Sequence, residues 1–221
     1  MRLKTIKIAL RKNRLAFSIP LAVLYVFLPI IGYFEYSHAG PDSSLHILIF
    51  AAQAIFPLSC LLLPMAHFVI WFNPYGHETL VASSPNHRCC TGEVMVFCLC
   101  IAAMLFPISL FFTLLYGPLV LEFIRLYAQC VFSMSLFYLC TACCKNTTLG
   151  ALPIVVYLFL CVCLSDLPEY NLISILELQR LADSDSIVKY IILYVISFCF
   201  IITGNRIEKN SSISKLSHSE V

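Results

Sequence analysis

Charge is what this sequence has least of. Of its 221 residues, 14 are Lys or Arg and 12 are Asp or Glu, or 12% in all. A soluble domain carries ~25%. So few charges cannot coat a water-facing surface of this size. Glycine is scarce too, at seven residues, and no G-x-x-x-x-G-K-[ST] phosphate loop occurs. ATP hydrolysis of that type is excluded for this chain. His77-Glu78 opens like a zinc-protease helix, but Val81 stands where the second His belongs. No acidic pair with a nearby His lies in an apolar run, so no catalytic residues are assigned. The net charge of +2 offers no strongly basic surface for nucleic acid.

Apolar residues are abundant. They make up 60% of the chain, and mean hydropathy is +0.89. Disorder is excluded, because such a chain has ample surface to bury. The 12 cysteines form no spaced ladder in a polar segment, which excludes a secreted disulfide scaffold. Most of them, including Cys98, Cys130 and Cys161, sit in apolar runs as small hydrophobes.

A membrane span needs ~20 mainly apolar residues. Six stretches are read as spans: Leu15 to Phe34, Leu45 to Trp71, Val94 to Tyr116, Leu119 to Cys144, Leu149 to Leu164 and Ile187 to Gly204. They do not alternate as barrel strands do, so the predicted fold is an all-α integral membrane protein. Gly117-Pro118 marks a tight turn between the third and fourth spans.

Residues 1–14 form a basic amphipathic segment, residues 15–204 the six-helix membrane domain, and residues 205–221 a tail. The basic start leads into a run of full spanning length, so a cleavable signal peptide is not expected. Within the domain the long connections are 72–93 and 165–186. Arg2, Lys4, Lys7, Arg11, Lys12 and Arg14 precede the first span without an acidic residue. Arg88, Lys145, Arg206, Lys209 and Lys215 fall on the same side. Asp42, Asp166, Glu169, Glu177, Asp183 and Asp185 fall on the other, against Arg180 and Lys189. The positive-inside rule then places both termini in the cytoplasm. Ile173, Leu176, Leu178 and Leu181 are read as a short amphipathic helix capping the outer face.

Polar residues at membrane depth are few: Gln53, His67, Glu122, Arg125 and Gln129. Gln53 and Gln129 are expected to bond between helices, or to line a translocation path. Glu122 and Arg125 are three apart and share a helix face. They are expected to snorkel to the headgroups, with a place in a translocation path as the alternative. His77, His87, Cys89 and Cys90 share one loop, and Cys140, Cys143 and Cys144 end the fourth span on the same side. Their spacing matches no standard zinc or copper site, so no metal is assigned.

The loop after the second span runs Asn73-Pro74-Tyr75-Gly76-His77-Glu78-Thr79-Leu80-Val81-Ala82-Ser83-Ser84-Pro85-Asn86-His87-Arg88. Gly76, Glu78, Thr79, Pro85 and Arg88 frame a short helix between two breakers. This pattern resembles the conserved loop of ABC-2 type transporter permeases. So do the basic N-terminal segment, the six spans and the long loop before the last one.

The resemblance implies the membrane half of an ABC exporter in the cell membrane, a bacterial plasma membrane by analogy with small exporters of peptides, drugs or lipid-like amphiphiles. This chain would hold no cofactor. ATP and Mg would sit on a partner ABC ATPase subunit, with a second permease copy or paralogue completing the path. Gly76, Glu78, Thr79, Pro85 and Arg88 would form the ATPase-coupling loop. Two other readings stay open at this point: a non-transporting polytopic assembly or sensing protein, and a metal-handling membrane protein.

Overall fold

A computed structural model describes residues 14–72, 91–117, 119–164, 174–176 and 186–217. All regular structure in them is helical. α1 (Arg14–Ala22), a π-helical turn (Val23–Phe27) and α2 (Leu28–Ala39) follow one another without a break. After Gly40 come α3 (Pro41–Phe72), α4 (Thr91–Tyr116), α5 (Val120–Cys144), α6 (Thr147–Cys163) and α7 (Ser186–Ser217).

Among the described residues five helical stretches are long and apolar enough to cross a membrane: Arg14–His38, Ser43–Val69, Gly92–Tyr116, Val120–Cys144 and Ile187–Lys209. α6 is apolar but has only 17 residues. Large apolar side chains such as Leu99, Phe106, Leu114, Phe159 and Val188 face outward. Water would penalise so much exposed apolar surface, whereas lipid does not. The chain is a multi-pass helical membrane protein.

α5 is the hub. It packs against α3, α4, α6 and α7. One core cluster joins Phe68, Phe137, Tyr138, Leu158 and Tyr190, and a second joins Leu28, Phe56, Phe97, Ile101 and Met134. The ten described cysteines are all free thiols, and Cys60, Cys98, Cys130 and Cys161 are buried.

The turns have local causes. Gly117 has φ 93, a left-handed conformation that suits glycine between α4 and α5. Between α5 and α6, Lys145 takes φ 52. Asn146 then caps α6, its Oδ1 accepting from the backbone N–H groups of Thr148 and Leu149 at 2.9 and 3.3 Å.

The α5–α6 hairpin closes on Gly150. A Cβ there would lie 2.8 Å from both the backbone N and Cα of Thr141. The obstacle is main chain, so it cannot rotate away. Gly150→Ala is expected to lower stability by about 1–3 kcal/mol, the usual range for overpacking. Gly32→Ala meets only ordinary contact with Leu48, at 3.5 Å, and serves as the control. Thermal midpoints in detergent compare the two; equal midpoints would refute the close crossing.

Three features go beyond the sequence-based expectation. The first helical rod runs from Arg14 to Ala39, past the expected end at Phe34, with Pro20 inside α1, Pro29 in the first turn of α2 and a π-helical turn between them. That turn is pinned to α4, where the Tyr25 hydroxyl donates to the Met104 carbonyl at 2.7 Å. α7 continues through the segment read as a tail, as far as Ser217. Near its membrane exit the Tyr138 hydroxyl donates to Glu208 Oε2 at 2.7 Å and fastens α7 to α5. Thirdly, Ser174–Leu176 is non-helical, although Leu176 had been read as part of a capping helix. All three residues are buried.

Candidate functional site

A polar junction lies inside the bundle. Gln53 sits on α3 and Gln129 on α5, and both are buried. The Gln129 carboxamide donates through Nε2 to Gln53 Oε1 at 2.9 Å and to the Ile175 carbonyl at 2.8 Å. The interhelical bond expected of these two residues is therefore formed, and a third strand of chain joins it. Ser133 Oγ donates to the Gln129 carbonyl at 2.8 Å. Nine residues of α5 separate Gln129 from the helix start, or about 14 Å at 1.5 Å per residue.

Non-helical backbone at that depth is tolerated only where protein satisfies it. Here Gln129 binds the Ile175 carbonyl. Ser174 Oγ donates to the Leu176 carbonyl at 2.8 Å and accepts from the Leu176 N–H at 3.1 Å. The apolar pair Ile175 and Leu176 supplies the burial. Ile173, Leu178 and Leu181 lie outside the described residues.

Beside this junction is a small cavity of about 40 Å³. Its walls come from the π-helical turn and α2 (Leu24, Leu28), α3 (Leu48, Gln53), α4 (Phe112) and α5 (Glu122, Leu126). Gln53 and Glu122 are the two polar residues in an otherwise apolar set. A π-helical turn is uncommon and is often found beside functional sites. The space is on the scale of a few water molecules and its surface is almost entirely apolar.

Glu122 and Arg125 pair on one turn of α5, Arg125 donating through its guanidinium to Glu122 Oε2. They do not snorkel. Arg125 is 0% exposed and Glu122 only 9%. The reason is the position of α5 at the centre of the bundle, where neighbouring helices cover the face that carries the pair. An arginine on a peripheral helix would have had a route to the headgroups.

A second buried pair was not foreseen. His67 Nε2 and Glu93 Oε2 are 2.7 Å apart, and each side chain is 1% exposed. His67 had been noted as polar at membrane depth, but Glu93 had been read as part of the loop before the third span. Only the helical start at Thr91 brings Glu93 into the bundle.

Gly76, Glu78, Thr79, Pro85 and Arg88 lie outside the described residues, as do His77, His87, Cys89 and Cys90. Among the described residues no group of three or more His, Cys, Asp or Glu side chains is placed to hold a metal ion. No protein-family model, curated protein or solved structure matches the chain.

Proposed function

We propose that this chain is the membrane-spanning permease half of an ATP-driven ABC exporter. The observation that carries the reading is the buried polar junction of Gln53, Gln129 and the Ile175 carbonyl next to a cavity bearing Glu122. Polar groups held at membrane depth cost free energy, and in membrane proteins they mark substrate or ion paths. The loop pattern from Gly76 to Arg88 supplies the other half of the argument.

In this reading α6 is a sixth span. Its 17 residues reach about 26 Å, against a hydrocarbon core of about 30 Å. Six crossings put both ends on one side, and the basic N-terminus makes that side cytoplasmic. The segment 73–90 then hangs in the cytoplasm between α3 and α4, where it meets a separate ATPase that binds ATP and Mg. A second permease chain completes the path. The transported molecule is an amphiphile, by analogy with small exporters of this type. The membrane is the plasma membrane of a bacterium.

Co-purification tests this. The tagged chain, isolated from its own cells, is expected to carry an ABC ATPase in equal amount, two copies of each. Amphiphiles with an amine or amide head are expected to raise the ATP turnover of that complex. Preparations that never contain an ATPase would overturn the proposal.

A further inference from the structure

Near its C-terminal end α5 is open along a single stripe. From Val131 to Ala142 every residue is buried except Phe132, Leu136, Leu139 and Cys140. Steps of three and four residues keep these four on one face of the helix, and the next step reaches Cys143. Cys143 is exposed. Cys144 is exposed too, but it is turned about 100° further round the helix and stands off the stripe.

The stripe is the floor of a cleft. α6 and α7 each pack on α5, yet they hardly approach one another. The Phe132 ring marks the gap between them. Its centroid lies 6.4 Å from that of Tyr157 on α6 and 5.8 Å from that of Phe200 on α7. One helix therefore stands on each side of the stripe. Leu136, Leu139 and Cys140 stay partly open between them among the described residues. The floor is apolar apart from its thiols. From Phe132 to Cys143 it runs about 16 Å at 1.5 Å per residue, a length that a long acyl chain can follow. At the mouth α5 ends at Cys144, and the exposed Lys145 and Asn146 turn the chain into α6. An exposed lysine there puts the mouth at the headgroups, where water and lipid meet.

We propose that Cys143 is a site of S-acylation and that the attached chain lies in the cleft between α6 and α7. The donor is a long-chain acyl thioester such as acyl-coenzyme A. The Cys143 thiolate attacks the carbonyl carbon. A bond forms from Sγ to that carbon, and the bond from the carbon to the carrier sulfur breaks. The carrier leaves as a thiol with the proton that Cys143 gave up, so nothing is oxidised or reduced. Cysteines at the membrane boundary are where this chemistry occurs. Exposed thiols elsewhere lack the setting. Cys163 ends α6 at the far side of the membrane from Cys143, and Cys199 is well inside the apolar stretch of α7. The donor is carried in the cytoplasm, so this inference takes from the reading above only that the Lys145 end of α5 is cytoplasmic. It does not need the ATPase.

The test uses the full-length chain isolated from its own cells. Peptide masses are compared with and without neutral hydroxylamine, which cleaves thioesters. One hydroxylamine-sensitive long acyl group is expected on Cys143. Cys143→Ser should abolish it, and Cys144→Ser should leave it in place. The cleft is read separately, from thermal midpoints in detergent. Hydroxylamine should lower the midpoint of the wild type by several degrees and leave that of Cys143→Ser unchanged. Leu136→Trp, which fills the floor of the cleft, should keep the acyl group and lose the hydroxylamine effect.

A native chain with a free thiol at Cys143 would overturn the site. So would an acyl group found on Cys163 instead, which would reverse the orientation as well. Acylated Cys143 with the same midpoint before and after hydroxylamine would overturn the cleft and put the chain in bulk lipid. None of these results bears on the permease reading, which co-purification of the ATPase decides.

Discussion

Reversing two charges between α3 and α4, as Glu78→Lys with Arg88→Glu, is expected to leave the chain inserted and abolish both ATPase capture and export. Neither residue is in an apolar run, so insertion does not depend on them. On a water-facing surface, such changes usually alter stability by no more than ~0.5 kcal/mol. An interface raises the stakes. Removing one partner of a desolvated charge pair costs about 2–5 kcal/mol, while a rim charge mostly alters the association rate. Reversal goes further than removal, since each new charge faces a like charge on the partner. At the upper end of that range the affinity loss exceeds a thousandfold.

Membrane abundance, ATPase pull-down and export are measured in the same cells. Normal abundance with both activities lost supports a coupling segment. Normal abundance with both activities intact would return 73–90 to an ordinary solvated loop, and the exporter assignment would lose its sequence support.

Five of the expected spans were legible because each is a long apolar run. The Gly117 turn was legible because its φ of 93 is a conformation that glycine adopts at little cost. Gln53 and Gln129 were legible as a pair for a different reason. A carboxamide in an apolar span has few partners available, so two of them on different helices tend to meet.

What escaped was set by contacts distant in sequence. Twenty-six residues separate His67 from Glu93, and nothing local to Glu93 distinguishes a loop carboxylate from the first turn of a helix. Ile175 and Leu176 look like any apolar residues in a mixed loop; only the donor on Gln129 and the buried surface of α5 explain their depth. The continuation of α7 to Ser217 was hidden because residues 205–217 are polar. Hydropathy reports where a membrane ends and is silent on where a helix ends.

The depth of Arg125 is the most consequential of these differences, because it changes what substitution should do. At a headgroup-facing site, Arg125→Leu would cost at most about 1 kcal/mol, as exposed ion pairs do. In the bundle centre, with Arg125 at 0% exposure beside Glu122, the same change strands a buried carboxylate. Breaking a buried pair from one side costs about 3–5 kcal/mol. Arg125→Leu is therefore expected to lower unfolding free energy in detergent by that amount, and Glu122→Leu to do similar damage by stranding the guanidinium.

Replacing both, Glu122→Leu with Arg125→Leu, removes the stranded charge along with the pair. The double variant should recover most of the loss, a strongly non-additive cycle of the kind that residues in direct contact produce. Recovery of stability separates the two roles of the pair. If Glu122 belongs to the substrate path, the refolded double variant should still bind its ATPase and hydrolyse ATP, yet lose stimulation by amine- or amide-headed amphiphiles. Single variants within 1 kcal/mol of wild type would show that the pair reaches water after all. A double variant with full amphiphile stimulation would remove Glu122 from the substrate path and leave the pair a packing element of α5.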